Sequence, residues 1–397
     1  MSQATQDELA RVVREHAGRL AASLVSLIGD FPAAEDLVQD AIEAALSHWP
    51  NEGIPSNPDG WLYTVARRRG LDVLRRNARH RDKLAIAAWP PRPESDDRLR
   101  LIFTCCHPAL PRSAQIALTL RVVCGLTTAQ IAKAFLIPET TVAQRITRAK
   151  RKISDAGIPY RVPDADEWGA RLSEVLTVVY LLFNEAYLPS TPQPAGDNLA
   201  EDADFLATLL SGLMPAEPEV LGLLALIRLH RARAAARFTA HGEIIQLPHQ
   251  DRALWDHDAI AEATRLLAKA AGLRRPGPYQ LQAAIVAVHA EAPSFADTDW
   301  QQIVLLYTML DGLNPSPVTK LHRAIALRYV VGPEEALSEV DLLGGVLDGY
   351  HLWHATRAEL LRDLGHGERA READERALRL TANPAEQSLL RQRISWA

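Results

Sequence analysis

Between positions 140 and 151 the chain sets out side chains that could read a nucleic acid. Thr140, Gln144, Arg148 and Arg151 recur at helical spacing, and Thr141, Arg145 and Lys150 flank them. Val142, Ile146, Ala149 and Ile153 form an apolar stripe on the other side of the same helix. Gln and Arg can each bond a base edge through two hydrogen bonds, while Lys and Arg neutralise phosphates. From Pro111 to Ile153 there are eight basic residues against one acid, Glu139. A merely solvated face usually carries both signs, so this bias points to a polyanion.

Other candidate chemistry is weaker. Cys105-Cys106-His107 has metal-ligating atoms, but adjacent cysteines rarely reach one tetrahedral ion, and no second Cys/His pair stands at metal spacing. These residues read as packing at a helix end before Pro108. No Walker-type phosphate loop and no Gly-x-Ser-x-Gly elbow occurs, so no enzyme activity, metal or cofactor is expected. Two polar-aromatic clusters, Asp251–Asp256 and Arg275–Gln280, read as caps and interhelix hydrogen bonds rather than a ligand groove.

The elements that must position the first set are legible. TAQIAKAFLIPETTVAQRIT (128–147) has the plan of a helix-turn-helix. Ala132 is the small residue where the helices cross, and Ile131, Phe135, Ile137, Val142 and Ile146 lock the pair. Pro138 suits the first turn of the second helix, where an absent N–H costs nothing. Leu136 stands where the turn usually has Gly. Upstream, residues 33–46 form an amphipathic helix with Leu37, Ala41 and Ala44/Ala45 inward and Asp36, Gln39, Asp40 and Glu43 expected outward. A Pro/Gly/Asn loop (50–60) leads to a second helix from Trp61, and between Trp61 and Lys83 eight basic residues oppose two acids. Trp61 and Tyr63 are expected to pack in the helical core rather than stack on DNA.

The 397 residues suggest two or three domains, and 47% hydrophobic with 23% charged residues excludes extensive disorder. The net charge of −5 is unevenly spread: residues 1–153 hold 22 basic against 16 acidic groups, the remainder 22 against 33. Only the first part is therefore expected to meet a polyanion. Apolar residues recur at three- and four-residue spacing nearly throughout, which predicts an all-α fold; only 243–247 looks strand-like. Prolines divide the chain into 1–88, a linker at 89–97, 98–154, a linker at 155–167, and 168–397. In the last segment, Ala358, Leu361, Gly365, Ala370, Ala373 and Ala377 follow the small-residue pattern of a tetratricopeptide-like hairpin, weakly echoed from Ala324 to Leu337. Three cysteines, a polar N-terminus and a longest apolar run of nine residues (Val175–Phe183) lead to the expectation of a cytoplasmic protein without a membrane span.

Taken in order, AEDLVQDAIEAAL, GWLYTVARRRGLDVLRR and VAQRITRAKRKI resemble the extracytoplasmic-function (ECF) sigma factors of bacterial RNA polymerase over about residues 1–154. VYLLFNEAY, LMPAEPEVLGLLALI and RPGPYQLQAAIVAVHAEAP resemble the helical extension of one subgroup. The resemblance implies a core-polymerase-binding motif at Asp36, Leu37, Val38, Gln39 and Asp40. It implies a −10 site in which the loop with Asn51, Ser56 and Asn57 captures a flipped base and Trp61, Arg67, Arg68 and Arg75 support melted DNA. Arg68 stands where relatives often carry Asn. It implies −35 reading by Thr140, Thr141, Gln144, Arg145, Arg148 and Lys150, with Ala143 replacing a commoner basic residue. The expected partners are core RNA polymerase and promoter DNA, with a further protein or small ligand for the C-terminal segment, which would regulate initiation. The rival reading, a ligand-sensing helix-turn-helix regulator, leaves the first 88 residues without a purpose.

Overall fold

The computed structural model describes residues 16–25, 28, 30–77, 97–135, 137–187, 199–239 and 242–395. The turn position Leu136 and the linker at 89–97, Asp97 apart, lie outside them, as does the Arg75 side chain. The described residues are helical with no strand; the strand-like segment supplies one isolated bridge, Phe238 to Ile244. The chain divides into two compact units, 1–182 with 193–202, and 183–192 with 203–397.

The first unit begins with α1 (helical over 16–25), α2 (Phe31–Glu52) and α3 (Pro58–Asn77). Asp30 caps α2 by accepting from the Ala33 amide (3.2 Å). Asn57 caps α3, its side-chain oxygen accepting from the Gly60 amide (2.9 Å). Then follow α4 (Arg98–Cys105), α5 (Arg112–Val122), α6 (Thr128–Ala134) and α7 (Glu139–Asp155). A reciprocal capping box opens α6: the Thr127 amide donates to Gln130 Oε1 (2.8 Å) and the Gln130 amide to Thr127 Oγ1 (3.2 Å). The inward stripe of α7, Val142, Ile146, Ala149 and Ile153, is buried as its spacing requires.

After the expected linker at 155–167 comes α8 (Trp168–Tyr187). Its first turns belong to the first unit. Arg171 donates to the Phe103 carbonyl (2.6 Å), Trp168 packs 5.5 Å from the Phe103 ring, and Glu174 pairs with Arg112 (2.8 Å). Residues 16–77 and 97–155 fall in the same compact unit. Tyr160 donates to the Ala22 carbonyl (3.1 Å), and a Cβ at Gly18 would lie 2.7 Å from the Val123 carbonyl, so only glycine admits that approach.

The second unit contains most of α9 (Leu199–Leu213), then α10 (Pro218–Ala232), α11 (His257–Gly272), α12 (Pro278–Glu291), α13 (Trp300–Leu313), α14 (Pro317–Val331), α15 (Pro333–Leu342), α16 (Gly344–Leu347), α17 (His351–Asp363), α18 (Gly367–Leu380) and α19 (Pro384–Ser395). From α10 on, most helices pack on their chain neighbours, and α10 packs on α12 as well as on α11. Gly365, at φ 76°, makes the turn between α17 and α18, whose buried Ala358, Ala370, Ala373 and Ala377 allow close packing. One core joins Leu321, Ala324, Ala336, Val340, Trp353 and Leu360; a neighbouring one joins Leu281, Ile285, Ile303 and Leu310. No described helix is long and apolar enough to cross a membrane.

Candidate polymerase and nucleic-acid interfaces

The residues expected to bind core polymerase do not share one surface. On α2, Leu37 and Val38 are buried in the helical core of this chain. Gln39, expected outside, is 6% exposed, and its amide donates to the Arg121 carbonyl at the end of α5 (3.3 Å). The sequence pattern of α2 alone cannot reveal this, because the covering helix lies 82 residues away. Asp36 and Asp40 do face outward. Both carry ion pairs, Asp36 with Lys150 of α7 (2.8 Å) and Asp40 with Arg69 of α3 (3.0 Å).

Glu35, absent from the sequence reading, holds this corner together. It is 1% exposed, receives Arg121 Nε at 3.0 Å, and pairs also with Lys150. A carboxylate in a dry interior persists only with such partners. The signal was present: Glu35 sits between Ala34 and Val38 on the apolar side of α2, where an acid needs a cation. Lys150, expected to meet DNA, is thus engaged by α2 in this arrangement.

The remaining −35 residues separate along α7. Gln144 and Arg148 are exposed on the face opposite Val142 and Ile146, with Thr140 exposed at its N-terminal end. Arg145 and Thr141 are half-buried. Among the described residues Arg145 and Arg148 have no ion pair, while Arg151 reaches Asp155 at 3.9 Å. A row of unpartnered donors on a helix that ends a helix-turn-helix can enter a major groove. In the −10 group, Asn51, Ser56, Asn57 and Arg68 are exposed, with Asn57 committed through its oxygen to the cap of α3. Trp61 is half-buried, edge-on to Trp49 at 5.2 Å, and Tyr63 is buried. Arg67 is half-buried.

The three cysteines are buried and unbridged. Burial pushes the Cys106 thiol up to about 12, so it stays protonated, and its Sγ lies 3.5 Å from Thr119 Oγ1. Cys105 is raised by burial in the same way.

Known proteins sort the chain along these lines. Residues 12–80 match the sigma-70 region 2 family, residues 100–153 the sigma-70 region 4 family, and residues 171–271 a family of unknown function, DUF6596. An uncharacterized protein of Rhizobium meliloti is 43% identical over 94% of this chain and 92% of its own length. The probable ECF RNA polymerase sigma factor SigI of Mycobacterium tuberculosis is 29% identical over 40% of this chain and 59% of its own. SigL of the same organism, an ECF RNA polymerase sigma factor, is 32% identical over 35% of this chain and 82% of its own. No solved structure matches. Region 2 on α1–α3, region 4 on α4–α7 and the likeness to SigL over 82% of its length lead to one conclusion: the chain belongs to the ECF family of RNA polymerase sigma factors and carries a long helical extension beyond region 4.

Proposed function

We propose that the protein docks on core RNA polymerase through the outward acids of α2 and directs it to promoters through α7 and the loop before α3. The observation that carries this reading is the pairing, in one chain, of an acidic α2 with an α7 whose Gln144 and Arg148 face solvent without internal ion pairs. Gln144 and Arg148 read bases of the −35 element. Asn51, Ser56 and Arg68 meet the −10 element, and Trp61 acts as a support packed on Trp49 rather than a stacking platform. Lys150 pairs with both Glu35 and Asp36, so when Asp36 docks on core enzyme Lys150 stays held by Glu35 and the phosphate contacts fall to Arg145, Arg148 and Lys152. The test is gel filtration with core enzyme followed by run-off transcription. Asp36→Arg with Asp40→Arg removes co-elution while the circular dichroism spectrum stays helical; unchanged co-elution defeats the docking assignment. A ligand-sensing repressor would neither co-elute with core nor need these acids.

The extension is proposed to bear on initiation positively, since an acidic helical array of this length exceeds what masking a short basic helix requires. A chain ending after Leu182 keeps the contacts of Arg171 and Glu174 with the first unit. At equal core occupancy it transcribes less than the full chain under this reading; greater activity would instead mean masking.

A further inference from the structure

The second unit contains a cavity of about 530 Å³ between α12, α13, α14, α17 and α19, within the range of small-molecule sites. One side is aromatic. Trp300 and Tyr329 stack with centroids 4.0 Å apart, and Phe295 meets both edge-on at 5.2 and 5.5 Å. Tyr329 nevertheless remains 40% exposed, so aromatic surface that could be covered is left open inside a concavity.

The opposite side is ionic but closed upon itself. Arg328 pairs with Glu359 (3.3 Å) and Asp363 (2.5 Å), and Arg393 pairs with Glu359. Arg362, which also lines the cavity, pairs with the buried Asp374 (2.5 Å), so three guanidiniums answer three carboxylates and an ionic ligand would have to break a bond already made. A neutral planar ligand can instead lie on the flat guanidinium and aromatic faces without that cost. The histidines add no charge. Burial lowers His322, and burial with the charges of Arg233 and Arg252 lowers His289 to about 4.

We propose that this cavity is a binding site for a neutral aromatic molecule of two or three rings. Ring stacking on Trp300 and Tyr329 supplies affinity, and the closed ion pairs exclude charged analogues.

The test uses the full-length protein and N-phenyl-1-naphthylamine, an uncharged aromatic amine whose fluorescence rises on burial. Its titration saturates at one molecule per chain. Tyr329→Ala weakens binding about tenfold, as expected for one lost aromatic stack. Ile325→Trp fills the cavity while keeping the aromatic wall, and abolishes binding. Leu342→Ser, at a side chain 85% exposed and outside the lining, leaves it unchanged. The sulfonated analogue 1-anilinonaphthalene-8-sulfonate binds more weakly by at least about tenfold, the factor that one ion pair broken by the sulfonate would cost. Equal binding by wild type and Ile325→Trp, or stronger binding of the sulfonate, overturns the assignment.

Discussion

On α7, Arg145 and Arg148 have no ion-pair partner among the described residues, whereas Arg233, Arg237 and Arg252 of the extension are consumed by their own fold. Arg252 lies 4.4 Å over Trp255 and donates to the carbonyls of His289 (2.8 Å) and Ala292 (2.6 Å). Arg237 covers Tyr187 at 3.4 Å and donates to its carbonyl (3.0 Å). Arg233, 6% exposed, lies 5.0 Å from Trp255. The same residue type therefore serves two ends. A guanidinium satisfied inside contributes stability, and one left facing water is available for a phosphate or a base. Counting basic residues along the chain does not separate these cases, but their partners do.

The contrast is broken most sharply by acid. In the extension, burial, Arg233 and Arg237 hold His230 down to about 3, and His289 is held at about 4. Both values lie below the unfolded value of about 6.5, so the native state refuses protons that the unfolded chain accepts. Stability is full above pH 6.5 and falls below it, by about 1.4 kcal/mol per pH unit for each histidine. Between pH 6.5 and 4.5 the extension loses about 5 kcal/mol. Urea unfolding at the two pH values checks this, and His230→Phe halves the slope.

Within the first unit, Arg121→Ala leaves Glu35 buried with Lys150 as its remaining cation. Breaking a buried pair in this way costs about 3 kcal/mol, read as a lower denaturation midpoint of that unit. Glu35→Gln, which removes the charge as well, costs less. A midpoint unmoved by Arg121→Ala would mean that the pair contributes nothing.

The open face of α7 answers differently. Gln144→Ala leaves the midpoint unchanged and relaxes discrimination at one −35 position by roughly 1–3 kcal/mol, measured by competition binding of the core complex to single-base promoter variants. Lys152→Ala weakens binding to every sequence alike and lowers the salt slope by about 0.9. If both substitutions produce the same uniform loss, base reading by Gln144 is wrong. Smallest of all is the exposed Arg371–Glu375 pair (3.3 Å) on α18, where Arg371→Ala changes stability by about 0.5 kcal/mol or less.

Much of this molecule follows from short-range pattern. Helices, the helix-turn-helix, the capping positions and the hairpin around Gly365 depend on residues within a turn or two of one another, so spacing reveals them. The outward face of α7 is equally local, since Val142, Ile146 and Ala149 define its opposite. What α2 presents is not local. The same amphipathic pattern placed Gln39 outside, and only α5, arriving from 82 residues away, covers it. Lys150 reads as one more cation on a DNA-facing helix until packing brings it to Glu35 and Asp36. The cavity of the extension is assembled from side chains of five helices and the intervening loops, none of which marks a site alone. Burial and pairing are properties of what arrives from afar, and one-dimensional periodicity specifies which face of a helix is apolar, but not which partner will meet it.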